Sequence, residues 1–353
     1  MGRTNPSGSP FRRAAIEKQH ATVRIGTRAS KLALTQAQWA ADRLMAAHPG
    51  LACQLVHITT TGDRQRSQPL PQIGGKGLFT RELEDVLLRG DIQLAIHSLK
   101  DLPTQLPGGL VVAAVPERAP ANDALISAEC GVRSAECQGK RPRLFELPPG
   151  ARIGTSSPRR AAQLRLARPD LCCEPIRGNL DTRLRKLAEG QFDAIVLAFA
   201  GLMRLGMADA ATEVLPFDLM LPAPGQGALA IEAVAGSEAA ALAAAIADPA
   251  ATLATTAERA LLDALGGGCS MPLGAYAELV EEQEEVRGRG TRRRTRTIGG
   301  EARMLRLRAI LVAPDSLAAA RAERTGPAGD PVGVAREVAR VLHQKMATTS
   351  FCR

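Results

Sequence analysis

Basic and hydroxyl side chains recur where an apolar segment of the chain gives way to a helix-like segment. The sharpest example is the run Gly-Thr-Ser-Ser-Pro-Arg-Arg over 154–160. A proline at the first helical position needs no hydrogen-bond donor, Ser157 can cap the helix, and free amides and two guanidinium groups then point to one place. This segment predicts a binding site for a phosphate or a carboxylate.

Three other groups stand at apparent strand ends. Arg28 and Ser30 lie beside a helix N-terminus, which favours an anion, although a plainly capped helix is the alternative. Lys100 and Asp101 are adjacent, so the lysine can hold an anion while the carboxylate holds a developing cation or moves a proton. The alternative there is a surface ion pair, worth about 0–1 kcal/mol. A third group comprises Arg177, Gly178, Asn179 and Arg183.

Three further motifs are ambiguous or fail. The run Gly-Gly-Lys-Gly over 74–77 lacks the Ser/Thr and the earlier glycine of a P-loop, so ATP is not indicated. Cys269 lies in a glycine-rich turn suited to covalent chemistry, but no nearby His/Asp pattern makes it a hydrolase nucleophile, and an incidental thiol is the alternative. His97 continues an apolar strand, which favours a satisfied structural histidine over a functional one.

The elements that must position these residues follow the strand and helix alternation of a parallel sheet, twice over. In such sheets ligands bind at the carboxyl ends of the strands, where the residues above fall. A third unit begins with an amphipathic helix, and its charged run 281–296 predicts a solvated hairpin loop, with a binding role as the alternative. The predicted strands are 22–25, 53–59, 92–97, 124–127, 152–154 and 194–198, and the predicted helices are 31–47, 80–89, 159–166 and 255–265.

Composition limits the class of protein. The 353 residues carry a formal charge of +9, with 45% apolar and 3% aromatic residues, which is enough for two or three domains. No stretch approaches the roughly 18 uninterrupted apolar residues of a membrane span. The few aromatics argue against a single-strand nucleic-acid binder. Codon bias is the alternative to a functional explanation for the many arginines. Seven cysteines without a C-x-x-C pair indicate neither a disulfide framework nor a zinc site, and suit a reducing compartment.

In chain order, seven segments together resemble the porphobilinogen deaminase family, also called hydroxymethylbilane synthases. The resemblance extends over about 22–276. Each segment is modest alone, but the ordered set is specific. The segments are 24–30, 74–79, 97–103, 154–160, 177–179, 221–227 and 267–269.

The resemblance implies an α/β enzyme of three domains, with two tandem periplasmic-binding-protein-like lobes, a cleft between them and a smaller C-terminal domain. It implies a transferase that joins four porphobilinogen molecules head to tail, releasing ammonia, to give the linear tetrapyrrole 1-hydroxymethylbilane. We expect a cytoplasmic monomer without nucleic-acid, membrane or metal partners, and organellar import through the N-terminal extension is the alternative. The expected divisions are a disordered extension at 1–21, domain 1 at 22–117 with 227–246, domain 2 at 118–226 and domain 3 at 247–353.

The resemblance also implies roles for single residues. Its cofactor is a dipyrromethane joined to Cys269 by a thioether, and Asp101 matches the catalytic aspartate that bonds pyrrole N–H groups and stabilises the azafulvene cation. Every porphobilinogen brings two carboxylates, so a growing chain needs many cations around one cleft. The run 74–79 matches a mobile loop over that cleft. The implied cofactor-binding residues are Lys100, Asp101, Ser157, Arg159, Arg160, Gly178, Arg183 and Cys269. The implied substrate-binding residues are Arg28, Ser30, Lys76, Phe79, Arg177, Arg183 and Arg204.

Two other classes of protein remain as alternatives. Tandem α/β lobes with helix N-termini facing a cleft also describe a two-lobed anion receptor, which has no use for Cys269. A nucleic-acid binder driven by net charge predicts steeply salt-dependent binding to oligonucleotides. The resemblance assigns no role to the insertions 130–143 and 281–296, and it tolerates Pro158 at a position that is more often aliphatic.

Overall fold

The structure is a computed structural model. It describes residues 22–60, 80–129, 141–267, 271–281, 283–286, 294–297, 303–313 and 318–350. The predictions for the extension 1–21, for Lys76 and Phe79, for most of the insertion 130–143 and for Cys269 lie outside these residues.

Lobe 1 is built on a five-stranded sheet. Its strands are β1 (Thr22–Thr27), β2 (Ala52–His57), β3 (Leu94–Ser98), β4 (Leu110–Ala114) and β10 (Leu229–Val234), with helices α1 (Lys31–Ala47), α2 (Arg81–Leu88) and α6 (Glu238–Ala244). The strand order is β2-β1-β3-β10-β4. The first three strands are parallel, whereas β10 is antiparallel to both of its neighbours. Apolar residues of α1 and α6 pack on this sheet to form the core of the lobe.

Lobe 2 repeats the same arrangement. Its strands are β5 (Asp123–Ser127), β6 (Arg152–Gly154), β7 (Cys172–Glu174), β8 (Ala194–Ala198) and β9 (Glu213–Val214), with helices α3 (Pro158–Ala167), α4 (Leu180–Ala188) and α5 (Phe199–Arg204). The order β7-β6-β8-β5-β9 again sets three parallel strands beside one antiparallel strand. Since β5 follows the strands of lobe 1 and β10 follows those of lobe 2, the chain crosses between the lobes twice.

The two crossings touch each other. The amide of Ala119 donates to the carbonyl of Gly227 at 3.2 Å. Gly227 has a φ of +87°, and a Cβ on it would collide with the carbonyl oxygen of Ala119, so only glycine fits there. Gly225 has a φ of +75°, and a Cβ on it would lie 3.3 Å from the backbone of Leu99 and 3.3 Å from that of Lys100, a tight contact. The return crossing is therefore fixed against the first crossing and against the end of β3.

The C-terminal domain consists of two helices on one sheet. Its main elements are α7 (Pro249–Ala264), β11 (Leu273–Glu281), β14 (Arg303–Val312), β15 (Ala319–Pro327) and α8 (Pro331–Ser350). The sheet is antiparallel in the order β11-β14-β15, and alanine, leucine and valine side chains of α7 and α8 fill the core against it. Within the charged run, β12 (Gln283–Val286) pairs antiparallel with β13 (Arg294–Thr297), which confirms the hairpin.

Most predicted elements are present, with shifted ends. The helix Lys31–Ala47 and the strands Arg152–Gly154 and Ala194–Ala198 match the prediction. The helix predicted from 255 begins at Pro249 instead, because Asp248 accepts a hydrogen bond from the Ala251 amide at 2.6 Å and caps it. Alanine in this first turn hides the apolar periodicity on which the prediction relied.

No single helix among the described residues has both the length and the apolar composition of a membrane span. The helices α6 and α7 together have that length and composition, but the chain bends by 109° between them.

Candidate functional site

The carboxyl ends of the parallel strands in both lobes open onto one cavity. Its volume is about 410 Å³, and its walls come from lobe 1, from lobe 2 and from the return crossing. Among the residues that the structure describes, seven cationic side chains and two acidic ones line it. The cations are Arg28, Lys31, Lys100, Arg160, Arg177, Arg183 and Arg204, and the acids are Asp101 and Asp181.

The end of β1 supplies Arg28 and Ser30, which both line the cavity. The Ser30 hydroxyl accepts from the Ala33 amide at 3.3 Å, so the predicted cap of α1 is confirmed. The first two residues of α1, Lys31 and Leu32, also line the cavity, in agreement with the carboxyl-end rule. Capping and anion binding are therefore compatible here, because the capped helix start and the arginine lie on the same wall.

The end of β3 turns sharply through a single 3-10 turn, Leu99–Asp101. Buried Leu99 anchors the turn, and its amide donates to the Ala228 carbonyl at 3.0 Å. Asp101 is exposed on the cavity wall, whereas the Lys100 ammonium donates to the Gln226 side-chain oxygen at 3.3 Å. Withdrawal from water lowers the pKa of Lys100 to about 8, with Asp101 opposing and Arg160 adding to the shift. A simple surface ion pair does not describe this lysine.

The segment 154–160 forms the predicted capped helix start. The Ser157 hydroxyl accepts from the Arg160 amide at 3.4 Å, and Pro158 occupies the first turn. The neighbouring Ser156, rather than Ser157, lines the cavity, and its hydroxyl donates to the Ile176 carbonyl at 2.7 Å.

The two arginines of this segment have different positions. Arg160 lines the cavity while its Nε and Nη2 donate to Asp123 Oδ1 at 3.0 and 2.7 Å. Arg159 lies away from the cavity lining, and its Nη1 donates to Asp123 Oδ2 at 2.6 Å and to the Leu221 carbonyl at 2.7 Å. Its role as a cofactor ligand stays a prediction, and the structure shows it as a buried partner of Asp123.

Asp123 is a residue that the sequence reasoning missed. It is fully buried at the first position of β5, and the two guanidinium groups hold its pKa far below the usual range despite the burial. The available signal was an acid directly before a run of apolar strand residues. Such an acid must have a cationic partner, since an unpaired buried carboxylate is very costly.

The remaining cations come from lobe 2. Arg177 lines the cavity beside Gly178, whose carbonyl accepts from Arg183 Nε at 2.9 Å. Burial lowers the pKa of Arg183 to about 10, and the nearby charge of Arg160 adds to this. Arg204 at the end of α5 donates through Nη2 to the Gly227 carbonyl at 2.6 Å, and burial lowers its pKa to about 10 as well. Arg183 and Arg204 remain charged at neutral pH, and Arg183 is close enough to Arg160 and Arg177 to be repelled by both.

His97 behaves as the predicted structural histidine. Its Nε2 lies 3.0 Å from a carboxylate oxygen of Glu232, and both side chains are buried between β3 and β10. This pair joins the strand that ends at the cavity to the strand that returns from lobe 2.

An excess of cations around one cavity calls for a ligand with several carboxylates, because each can form charge-assisted hydrogen bonds with a guanidinium. Asp101 adds one exposed carboxylate that can accept N–H donors or face a developing cation. The fold and the site together define a two-lobed α/β protein that binds a polycarboxylate and presents the Asp101 carboxylate to it from the 3-10 turn.

Comparison with known proteins identifies the family. The profile "Porphobilinogen deaminase, dipyromethane cofactor binding domain" matches residues 23–241, and "Porphobilinogen deaminase, C-terminal domain" matches residues 252–344. The chain belongs to the porphobilinogen deaminase family. Porphobilinogen deaminase of Roseiflexus castenholzii is 47% identical over 91% of this chain and 95% of its own length. That of Pelotomaculum thermopropionicum is 44% identical over 91% and 93%.

A solved structure with a distant similarity is the periplasmic VFT2 domain of Bordetella pertussis BvgS. It is 12% identical, covers 64% of this chain and 87% of its own, and has a TM-score of 0.37.

As a member of this family, the chain is a transferase that polymerises porphobilinogen into hydroxymethylbilane and carries a dipyrromethane cofactor. The described wall fits that cofactor by its donor set. Two pyrrole rings with an acetate and a propionate each require cations for the carboxylates and an acceptor for the ring N–H groups. The seven cations and Asp101 provide these two kinds of group in one cavity.

Proposed function

We propose that Asp101 is the catalytic residue of this transferase and that the cavity-lining cations hold the carboxylates of the cofactor and of the growing chain. The observation that carries this assignment is the single cavity in which Asp101 faces cations from both lobes. Asp101 is exposed there, on a turn held rigidly by buried Leu99, so its carboxylate can be aimed without losing access to substrate.

The proposed chemistry uses the carboxylate as an acceptor throughout. Asp101 accepts hydrogen bonds from pyrrole N–H groups and stabilises the positive charge that develops on the ring as ammonia leaves the aminomethyl carbon. The α-carbon of the terminal pyrrole then bonds to the methylene carbon that ammonia has left, and the proton displaced from that α-carbon passes to water. The cofactor would supply the terminal pyrrole for the first addition, and each added ring supplies it for the next.

The cations divide the binding of carboxylates between them. We propose that Lys100, Arg160 and Arg183 contact the cofactor, and that Arg28, Arg177 and Arg204 contact the added rings. Ser30 and Gly178 contribute the helix start and the close backbone approach beside them. The roles proposed for Ser157 and Arg159 are indirect, since Ser157 caps α3 and Arg159 neutralises Asp123. The proposal also includes substrate binding by Lys76 and Phe79 and the thioether at Cys269, which lie outside the described residues.

The test uses Asp101→Ala with Asp91→Ala as the matched control. Asp91 lies in the same lobe, in an exposed pair with Arg89, so its loss leaves the cavity intact. We expect Asp101→Ala to keep the cofactor mass, or a partly assembled chain, while product formation falls by at least 100-fold. Near-normal product formation by Asp101→Ala contradicts the assigned role.

Arginine variants test the binding roles through the masses of the bound intermediates. Arg177→Leu should shorten or deplete the ladder of adduct masses formed with porphobilinogen. Arg185→Leu, on exposed surface of α4 beside Glu189, should leave the ladder unchanged. Equal ladders in the two variants contradict a substrate-binding role for Arg177.

We also propose that the protein works as a cytoplasmic monomer without nucleic-acid or membrane partners. The support is that the cysteines form no disulfide framework in the sequence, that aromatics are few, and that seven cationic side chains among the described residues line a small-molecule cavity. Light scattering of the purified protein should give the mass of one chain. A dimer mass, or oligonucleotide binding that survives 0.5 M salt, contradicts this proposal.

A further inference from the structure

Gln226 occupies the point where the return crossing passes behind the cavity. Its side chain is fully buried. Its backbone is fixed on both sides by Gly225 and Gly227, whose positive φ angles favour glycine, and at Gly227 a Cβ would also collide with the Ala119 carbonyl oxygen. Its own amide donates to the Ala223 carbonyl at 2.9 Å, and its carbonyl accepts from Arg118 Nε at 2.9 Å. The side chain of Gln226 therefore starts from an immobile backbone.

The surroundings of the Gln226 amide determine its orientation. The Nε2 group donates to the Ala121 carbonyl at 2.7 Å and to Asp123 Oδ1 at 2.9 Å. The opposite end, Oε1, faces the Lys100 ammonium at 3.3 Å. Turning the amide over would place its oxygen against two acceptors and its NH₂ group against an ammonium, so this orientation alone satisfies every partner.

Asp123 in turn is held by lobe 2. Arg160 and Arg159 both bind its carboxylate, and Arg160 also lines the cavity. An unbroken series of polar contacts thus joins Arg160 in lobe 2, through Asp123 and Gln226, to Lys100 in lobe 1. The two cations at the ends of this series, Arg160 and Lys100, both line the cavity and belong to different lobes.

The charges that face Lys100 oppose one another. Asp101 and Asp123 favour its ammonium form, whereas Arg160 and Arg159 disfavour it, and burial disfavours it most. Because burial brings the pKa of Lys100 down to about 8, close to neutral pH, a neutral acceptor in direct contact with Nζ has a large effect on whether the proton stays.

We propose that Gln226 is a positioning residue for Lys100: its side-chain oxygen keeps the ammonium protonated and at a fixed place on the cavity wall, opposite Arg160. This inference rests on the proposed function only in that Lys100 is taken as a carboxylate ligand. Gln226 does not itself line the cavity, but it sets the charge of Lys100, which does.

The decisive variant is Gln226→Met, which keeps the length of the side chain and removes its acceptor together with the Nε2 donor to Ala121 and Asp123. The matched control is Gln163→Met. Gln163 is also buried, but its amide bonds only backbone, accepting from the Leu221 amide and donating to the Leu221 carbonyl, both at 2.9 Å. Both variants lose buried hydrogen bonds, so both should lose thermal stability, and only the first faces an ionisable partner.

The first readout is the protonation of Lys100 itself. Full-length protein is exposed briefly to acetic anhydride between pH 6 and 10, and acetylation of the Lys100 peptide is followed by mass spectrometry, with surface Lys186 as internal reference. We expect the midpoint for Lys100 in Gln226→Met to fall by about one pH unit, a tenfold change in the proton equilibrium, relative to the unsubstituted chain. In Gln163→Met it should not move.

The second readout is the pH profile of kcat/KM. The alkaline limb should shift to lower pH by about the same amount in Gln226→Met and stay in place in Gln163→Met. Should Gln226→Met fail to fold, Gln226→Asn withdraws the amide by one methylene and should give a smaller shift in the same direction.

Two results overturn separate parts of the account. An unmoved Lys100 midpoint in a folded Gln226 variant, with a pH profile like that of Gln163→Met, shows that Gln226 is structural only and defeats this inference. Full turnover by Lys100→Gln defeats instead the proposed role of Lys100, whatever Gln226 does.

Discussion

Replacing Glu258 with alanine removes one carboxylate that joins all three domains. Glu258 lies on α7 of the C-terminal domain and is fully buried. Its oxygens accept from Arg118 at 2.8 and 3.0 Å, from the Gly225 amide at 2.7 Å and from the Ala277 amide at 2.8 Å. Arg118 belongs to the first crossing between the lobes and Gly225 to the return crossing, so one side chain ties both to the C-terminal domain.

The magnitude follows from what is left behind. Breaking a buried ion pair by removing one partner costs about 3–5 kcal/mol. Two buried backbone amides lose their acceptor, each worth about 1–3 kcal/mol. Against this, Arg118 keeps the Gln226 carbonyl and lies 5.2 Å from the Tyr276 ring, which reduces its loss. We expect the free energy of unfolding to fall by about 4–6 kcal/mol, a large part of the usual total for a domain.

The control is Glu278→Ala in the same domain. Its carboxylate binds Arg306 at 2.6 Å in a partly exposed pair, and such pairs are worth about 0–1 kcal/mol. Equilibrium unfolding in urea can be followed by far-UV circular dichroism and by the fluorescence of Trp39, the only tryptophan, which packs on the core of lobe 1. In Glu258→Ala the Trp39 transition should separate from that seen by circular dichroism, because the C-terminal domain no longer holds the crossings. Losses within 1 kcal/mol of each other for the two variants would refute the reasoning.

Two further predictions concern buried charges away from the cavity wall. Asp123→Asn should cost about 3–5 kcal/mol at pH 7, because two buried guanidinium groups lose their counter-charge. The folded state depresses the pKa of Asp123, so the stability that its carboxylate contributes is complete above the unfolded pKa of 3.8 and is lost as the pH falls further. The difference in melting temperature between Asp123→Asn and the unsubstituted chain should therefore be constant from about pH 5 to 8 and shrink below about pH 4. A deficit as large at pH 2.5 as at pH 7 contradicts this. Glu84→Gln should raise the melting temperature at pH 7 by the equivalent of about 1 kcal/mol. Burial raises the pKa of Glu84, the charge of Glu232 adds to this, and the charged form of Glu84 is therefore unfavourable in the folded state. The gain should vanish below about pH 4.5, where both states are protonated, and a gain that persists there points to a cause other than the charge.

The site could be predicted from the sequence wherever a single local rule places a residue. Arg28, Lys100, Arg177 and Arg183 follow strands, and the carboxyl-end rule alone brings them to one cavity. Ser30 and Ser157 cap helices because short polar side chains precede the first turns. These features depend on residues only a few positions apart.

Features that depend on distant partners were not readable. Arg159 and Arg160 look equivalent in the sequence, but successive residues on a helix point about 100° apart, so one faces the cavity and the other does not. The partner that holds both, Asp123, lies 36 and 37 positions earlier. Gln226 and Glu258 meet their partners across more than 100 positions in several of their contacts, and nothing local marks them.

Apart from the helix predicted from 255 and the hairpin, the elements of the C-terminal domain were not predicted. The first turn of α7 is rich in alanine, whose small side chains give no strong apolar period. The helix Pro331–Ser350 carries buried Val334, Val338 and Leu342 at helical spacing, a readable pattern that was not used. The strand Ala319–Pro327 alternates small buried alanines with charged residues and has no bulky apolar face. Packing of α7 against α8 over the sheet supplies what the local pattern does not show.

The most direct test of the central claim is the intact mass of the purified protein, measured with and without porphobilinogen. The account predicts a mass above that of the 353-residue chain by one dipyrromethane, located on the Cys269 peptide, and a ladder of further additions when porphobilinogen is supplied. Cys269→Ala should remove both the adduct and the ladder. An unmodified chain mass from a preparation that turns over porphobilinogen would contradict the account.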